Sequence, residues 1–487
     1  MTGKNVLCIM SDEHSRRVLG SYGNNVVKTP NLDRLAAGGT LFENAYTNCP
    51  ICVPARASFA TGRHVGEIGN WDNAFPYHGE NKGWGHRLIE SGHLCDSIGK
   101  LHYRSAQDPC GFSNEVLPLH VVGGTGDLQG MIRNPAPMRP STRQLAADAG
   151  RGESSYTGYD RNIRDAAVDW LGQARQASGE KPWVCFVSFV CPHFPLVAPD
   201  EFYDLYDPAD IPWPDLRDAA DFPDHPYYRA LRQVQEYDDH FRDDDHRRVA
   251  LAAYYGMVSF LDDNIGRILA ALHDNGLTQD TVVIYTSDHG DNLGTRTMWG
   301  KSTMYEESAG IPLILSGPGV DAARRVETPV SLVDFHQTVL EATGLGLTED
   351  DRDRPGRSLF DIADGADADR TVLCEYHAVG SITGAFMIRW GKWKYVHFVG
   401  HRPQLFDLDA DPFERTDLAL AGGHDAILAE GEQRLRAICD PDVVNARAFA
   451  DQKARLKAHG GEDKVRALGS FGYTPAPGET PRFAGRG

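Results

Sequence analysis

No long hydrophobic run occurs in this chain. Across 487 residues nothing approaches the roughly 20 consecutive apolar residues that span a bilayer, so no membrane partner is expected. The apolar segment near the start, Val6 to Met10, runs straight into Ser11-Asp12. That is too short for a signal-peptide core, and cytoplasm is the expected location. Basic residues are scarce beside acidic ones, 49 Lys and Arg against 68 Asp and Glu, for a formal net charge of −19. Wholesale nucleic-acid binding needs a basic footprint and is not expected. A locally positive pocket can still take an anion, because distant charges are screened over about 8 Å at physiological salt. Cysteine is sparse too: nine residues, odd in number and scattered, which argues against a disulfide framework. Cys8, Cys185 and Cys191 sit in or beside strand-like runs and read as small buried hydrophobes. No internal repeat is visible. What is present, 41% hydrophobic and 24% charged residues, is an ordinary globular composition. The length allows two or three units, or one large α/β domain.

Continuous apolar runs at Asn5 to Met10, Trp183 to Val190, Thr281 to Thr286 and Ile311 to Ser316 fit strands buried on both faces of a parallel sheet. Helical periodicity separates them. Ile163, Ala167, Trp170, Leu171 and Ala174 share a face within Asn162 to Ala177, and Val249 to His273 is stopped by Asn275-Gly276. Ser331 is a plausible cap for a helix opening at Ser331-Leu-Val-Asp334. Strands alternating with helices predict a doubly wound, mostly parallel α/β sheet flanked by helices, with functional groups beyond the carboxyl ends of the strands. Asp12, His193, Asp288 and His289 fall there. After about residue 365 the texture changes. Val372 to Tyr376, Ala385 to Trp390, Trp393 to Phe398 and Gln404 to Leu408 read as short antiparallel strands. The expected organisation is a catalytic domain over 1–365, a smaller C-terminal α+β subdomain over 366–442, and a polar Gly- and Pro-rich tail over 443–487. That tail is either loosely ordered or wraps a neighbouring subunit.

The sharpest local signal is Cys52-Val-Pro-Ala-Arg56, continued by Thr61-Gly-Arg63. Pro54 suits the first turn of a helix, which puts Cys52 at or just before a helix N-terminus, where unpaired N–H groups favour an anion. Arg56, one turn on, can reach back to the same spot. Two plainer readings stand beside this one. A cysteine before a helix is usually a packed residue, and Cys49-Pro-Ile-Cys52 is also a C-x-x-C, which points to redox or zinc chemistry although no second pair or nearby His at zinc spacing supports it.

Cys-x-Pro-x-Arg followed by Thr-Gly-Arg resembles the sulfatase signature, within the alkaline phosphatase superfamily, and the similar motifs run from residue 1 to about 420. The branch it resembles is that of choline sulfatases and phosphonate monoester hydrolases. The resemblance implies an alkaline phosphatase-like fold and a Cys52 oxidised to formylglycine by a separate maturation enzyme. One hydroxyl of the hydrated aldehyde would attack sulfur, and proton loss from the other would expel sulfate. It further implies one divalent metal ion, held by Asp12, Asp288, His289 and the oxygen of modified Cys52. An oxygen-rich set with one imidazole suits calcium, manganese or magnesium. Glu13 stands where many relatives carry a further acid or amide, and its ligation is open. Gly99-Lys100-Leu-His102 resembles the Lys-x-His pair, Pro192-His193-Phe-Pro195 the Pro-His-x-Pro motif, and Gly300-Lys301 the second lysine of the family. This makes Lys100, His102, His193 and Lys301, with Cys52 and Arg56, the implied catalytic residues. Asn73 falls at a substrate-facing amide, and the stretches Trp71 to Tyr77 and His377 to Thr383 are expected to line the pocket.

The expected activity is therefore hydrolysis of small anionic sulfate monoesters, choline sulfate being the example that relatives offer, by a homo-oligomer. The alternative is a phosphonate monoester or phosphodiester hydrolase using the same site. A redox or non-catalytic protein built on Cys49 and Cys52 is the distant third.

Overall fold

The computed structural model describes residues 3–218 and 222–484. Its centre is an eight-stranded sheet of β1 (Asn5–Asp12), β2 (Gly39–Phe42), β3 (Cys95–Lys100), β4 (Asn114–Leu119), β5 (Val184–Pro192), β6 (Thr281–Ser287), β7 (Leu313–Ser316) and β8 (Arg324–Val326). In space the order is β8-β2-β7-β6-β1-β5-β3-β4. The five strands β6, β1, β5, β3 and β4 pair in parallel. β7 runs antiparallel to both of its neighbours, which departs from the parallel reading of its apolar run. A strand buried on both faces looks alike in either direction, because the pattern reports burial and not polarity.

Two apolar layers cover the sheet, and the alternation along each strand assigns residues to them. Val6, Cys8 and Met10 of β1 join Val184, Phe186, Val282 and Ile284 in one layer. There they meet α1 (Cys52–Thr61) through Ala55, Ala57 and Phe59. Leu7 and Ile9 join Cys185, Val187, Val283 and Tyr285 in the other. That face is covered by α2 (Ser155–Ser178), through Ile163, Ala167 and Leu171, and by α3 (Asp244–Asp274), through Leu261, Ile265 and Ile268. The expected Ser331 cap is present as a capping box with Asp334. At Gly99, φ is +98°, and a Cβ there would lie 2.3 Å from the Ser188 carbonyl oxygen. Only glycine lets β3 approach β5 this closely.

The four C-terminal strands form their own antiparallel sheet, β9 (Val372–Tyr376), β10 (Ala385–Trp390), β11 (Trp393–Phe398) and β12 (Gln404–Asp407), in sequential order. One face, with Leu373, Phe386, Ile388 and Leu405, is covered by α4 (Asp425–Ile438) through Leu435. The other, with Cys374, Tyr376, Met387 and Phe398, packs on Tyr46, Trp71 and Tyr305 of the larger unit. The Lys394 ammonium reinforces that junction, buried between Glu306 at 3.0 Å and Glu414 at 2.7 Å.

Beyond the small sheet the chain is more ordered than its composition implies. α5 (Pro441–Ala458) is capped by the Asp440 carboxylate and buries Ala448, Gln452 and Leu456 against the body of the protein. A short strand pair, Ser470–Phe471 with Phe483–Ala484, follows. Sequence periodicity misses α5 because its contact stripe is narrow and includes the polar Gln452. The last three residues of the expected tail, 485–487, lie outside the described residues.

Phe59 is fully buried, with ring centroids 4.5 Å from Phe335, 5.1 Å from Phe186 and 5.6 Å from Trp84. Phe59→Ala is expected to lower unfolding stability by about 3–5 kcal/mol, measured by urea denaturation. A loss below about 1 kcal/mol would show that α1 is not anchored through this ring.

Candidate active site

β1, β3, β5 and β6 end side by side, and each hands one or more polar residues to the same corner. Asp12 closes β1, Lys100 closes β3, His193 follows β5, and Asp288-His289 follow β6. All are buried. α1 points its first residue at them. Ile51, in extended conformation, precedes the first turn, and Pro54 sits within that turn, where a missing N–H costs nothing. Asn73 Oδ1 accepts from the Val53 N–H at 3.2 Å. It thus satisfies one of the free donors of the helix end and is brought within one residue of Cys52.

The Cys52 Sγ lies 3.2 Å from His289 Nε2, 3.3 Å from Lys301 Nζ and 3.7 Å from Asp12 Oδ1. Ligand atoms from Asp12, Cys52, Asp288 and His289 all fall within 4.8 Å of one another, so the structure assembles the four expected positions. His289 Nδ1 donates to the Gly290 carbonyl at 3.0 Å, which fixes the tautomer and leaves Nε2 facing the cluster, the usual arrangement of a ligating imidazole. Asp288 Oδ1 accepts from the backbone N–H groups of Glu13 at 3.2 Å and His289 at 2.9 Å. Two carboxylates, one imidazole and the oxygen that would replace Sγ form a donor set suited to a hard divalent ion.

Glu13 stands in a left-handed conformation, φ 68°, rare for a side chain of this size. Its carbonyl accepts from the Tyr254 hydroxyl at 2.6 Å while its N–H is held by Asp288. The outcome is a carboxyl turned into the site: Oε2 is 3.0 Å from Lys301 Nζ and 3.4 Å from His193 Nε2, and Oε1 has no hydrogen-bond partner among the described residues. A second group of potential ligands, Asp12, Glu13 and His193, follows from this. Burial first, then the nearby Asp291 and Asp12, push the Glu13 carboxyl well above its usual range.

Arg56 does not reach back to Cys52 as its position one turn on suggests. Nε donates to Asp288 Oδ2 at 2.7 Å, Nη2 to Asp12 Oδ2 at 3.3 Å, and Nη1 to the Lys100 carbonyl and Ser188 Oγ at 2.8 Å each. Two buried carboxylates attract a guanidinium more strongly than a neutral thiol does. Lys100 makes an ion pair with Asp12. His102 is buried in a left-handed backbone conformation, and neither of its ring nitrogens has a partner among the described residues. Burial, and then Lys100, push its pKa well down, which keeps the ring neutral. Lys301 is placed by Asn292, whose amide donates to the carbonyls of Gly300 at 2.6 Å and Lys301 at 3.2 Å. Burial opposes the Lys301 charge, but Cys52, Glu13 and Asp12 together push its pKa up.

Cys49 turns away. It packs with Tyr46, Trp71 and Tyr227 in an apolar cluster, and both it and Cys52 are free thiols. Burial, followed by Asp12, pushes the Cys52 thiol up to about 11, the opposite of a redox-active cysteine. Trp71 and His377, from the two stretches expected to line the pocket, pack on each other with ring centroids 5.2 Å apart. Sequence reading missed the supports: Ser188, Tyr254, Asp291 and Asn292. Only the last two carried a signal, standing directly after Asp288-His289-Gly290.

The sulfatase family model matches residues 4–345 of this chain. The chain belongs to the sulfatase family. A second model, described as N-sulphoglucosamine sulphohydrolase, C-terminal, matches residues 294–440. This sulfatase is 31% identical to the choline-sulfatase of Rhizobium meliloti (strain 1021) over 435 residues, covering 86% of this chain and 83% of that protein. It is 30% identical to arylsulfatase K of Mus musculus over 480 residues, covering 93% and 82%. Among solved structures, the phosphonate monoester hydrolase of Agrobacterium radiobacter aligns with a TM-score of 0.69 at 23% identity, over 89% of this chain and 95% of that one. A protein solved with its substrate D-glucosamine-2-N,6-O-disulfate aligns with a TM-score of 0.72 at 20% identity, over 92% and 99%. The fold is alkaline phosphatase-like, and the enzyme is a sulfuric ester hydrolase.

Arg56 orients the Asp12 and Asp288 carboxylates, so Arg56→Lys, which keeps the charge but loses the fork, is expected to weaken divalent metal binding by about ten- to a hundredfold. Titration of the metal-free sulfatase with manganese, followed by calorimetry, measures this. Unchanged affinity would show that the guanidinium does not set the ligand geometry.

Proposed function

We propose that this sulfatase cleaves sulfate monoesters with residue 52 as nucleophile, after a separate maturation enzyme has oxidised Cys52 to formylglycine. The reading is carried by one observation: Cys52 Sγ sits at the first turn of α1, within 3.7 Å of Asp12, His289 and Lys301. A thiol held protonated by burial is a weak nucleophile, whereas a hydrated aldehyde at the same place supplies one hydroxyl to attack sulfur and a second to release sulfate. Asp12, Asp288, His289 and the residue 52 oxygen would hold the divalent ion, calcium, manganese or magnesium, with Glu13 as a further candidate ligand. When bound, the ion acidifies a nearby hydroxyl and neutralises charge on the ester.

The chain's own groups divide the remaining work. Lys301 and Lys100 present ammonium groups at the sulfuryl oxygens, where charge develops in the transition state. His102, neutral and unpartnered, is poised to take the proton whose loss frees sulfate. His193 has Nδ1 donating to the Phe194 carbonyl at 2.6 Å, so its Nε2 faces the leaving-group side beside Lys301. Asn73 caps the first turn of α1 beside Cys52. Phosphonate monoesters carry the same single negative charge, and the fold shared with a phosphonate monoester hydrolase supports them as secondary substrates.

Cys52→Ala is expected to keep the fold and to abolish turnover of an aryl sulfate, and intact-mass analysis of the matured wild type should show a lighter residue 52. Wild-type-like activity in the variant would refute the assignment. Lys301→Ala is expected to cost about a hundred- to a thousandfold in kcat, read by steady-state kinetics on an aryl sulfate and an aryl phosphonate in parallel. A change confined to KM would remove Lys301 from transition-state stabilisation.

A further inference from the structure

The aromatic rings around His193 lead to the far end of the chain. The imidazole stacks on Phe194, with centroids 4.4 Å apart and planes at 26°, and meets the Tyr156 ring at 6.0 Å and 73°. Both of these rings abut Tyr473. The Tyr473 centroid lies 5.2 Å from that of Tyr156, at 63°, and 6.1 Å from that of Phe194, at 88°. Among the described residues no other ring meets both. Phe194 also meets Tyr237 at 6.0 Å, and Lys301 Nζ lies 5.6 Å from the Phe194 centroid. The Phe194 ring is therefore shared by two groups assigned to the reaction, and Tyr473 is wedged behind it.

The segment that carries Tyr473 is pinned to the larger unit. The Tyr156 hydroxyl donates to the Thr474 carbonyl, Ser470 Oγ donates to Ser141 Oγ at 3.0 Å, and Ala476 is buried. The strand pair Ser470–Phe471 with Phe483–Ala484 closes it into a loop. Tyr473 itself is only half-buried and borders a cavity of about 600 Å³ together with Pro195 and Val197. With free volume on that side, loss of the ring leaves Phe194 and Tyr156 without a backstop. His193 Nδ1 donates to the carbonyl of Phe194, so a movement of Phe194 passes directly to the imidazole. A ring serving stability alone belongs in the core; this one is partly exposed, and what it holds are the two rings that hold His193.

We propose that Tyr473 is a positioning residue for His193, so that the C-terminal segment over 470–476 governs proton delivery to the leaving oxygen. The inference rests on the leaving-group role given to His193 above. Proton transfer demands tight geometry, and misplacement by about 1 Å costs about a hundredfold. Esters whose leaving group departs readily as an anion need that proton least. Tyr473 therefore matters for poor leaving groups and little for good ones.

Steady-state kinetics on the matured enzyme compare phenyl sulfate, a poor leaving group, with 4-nitrophenyl sulfate, a good one. Tyr473→Leu should lower kcat on phenyl sulfate about ten- to a hundredfold and leave 4-nitrophenyl sulfate within about threefold. His193→Ala should show the same selectivity with a larger loss. The double variant should be no worse than His193→Ala alone, because both changes act through one group. Tyr473→Phe, which keeps the ring, should retain wild-type selectivity, and Tyr156→Phe, which releases Thr474, should give a smaller selective loss. Equal losses on the two esters, or losses that add in the double variant, overturn the positioning role. If His193→Ala itself shows no selectivity, the leaving-group reading of His193 fails instead. The His193 Hε1 resonance, shifted by the flanking rings, then decides the positioning separately: Tyr473→Leu must move it, and an unmoved resonance refutes the contact. Should Tyr473→Leu fail to fold, Tyr156→Phe carries the same comparison with the same outcomes.

Discussion

The Arg56 guanidinium is the contact on which the rest of the site depends. It donates to groups on four neighbouring strands or their ends: Asp12 on β1, the Lys100 carbonyl on β3, Ser188 on β5 and Asp288 after β6. Two buried carboxylates this close repel each other; the cation between them offsets that repulsion and fixes both in direction. The same residue lies on α1, one turn from Cys52. The helix that begins at Cys52 and the strands that end in Asp12 and Asp288 are therefore tied together by one side chain. Displacement of α1 would move Cys52 and release Asp12 and Asp288 together.

Burial gives this corner its chemistry and its cost. Arg56, Lys100 and Lys301 face the carboxyl groups of Asp12, Glu13, Asp288 and Asp291, so acids outnumber cations in a place with no solvent to screen them. Glu13 and Asp291 are accordingly pushed up, burial being the first cause in each. A cluster of this kind is poor material for stability, since desolvation offsets much of the pairwise attraction. It is good material for binding a dication and then a monoanionic ester, because each arriving charge relieves an imbalance that folding left in place. The left-handed turn at Glu13, clamped by Tyr254 and Asp288, is the backbone counterpart of that stored imbalance.

The parts legible in the sequence were those whose signal is local. An apolar run ending in an acid, as at Met10-Ser-Asp12 or Thr286-Ser-Asp288, states both the strand and the side chain delivered at its end. The hairpin at Gly391-Lys392 shows in the same way, because turn and alternating strands are adjacent. Illegible were features decided by distant partners. The direction of β7 leaves no trace in Ile311 to Ser316. The order of α5 depends on Asp72, Arg133 and the small sheet, not on its own weak periodicity. Arg56 was found, but its target was not: helix geometry shows how far a side chain reaches, while only the assembled sheet shows that two carboxylates stand closer than the thiol.

Gln452 illustrates the same dependence on distant partners. It lies 380 residues from Asp72 in sequence, yet donates to it at 2.7 Å and to the His377 carbonyl at 2.8 Å. Asp12, Lys100, His193, Asp288 and His289 sit at strand ends whose positions the sheet dictates. The partners of Gln452 come instead from loops and from the residue after β9, joined to a C-terminal helix by side-chain hydrogen bonds.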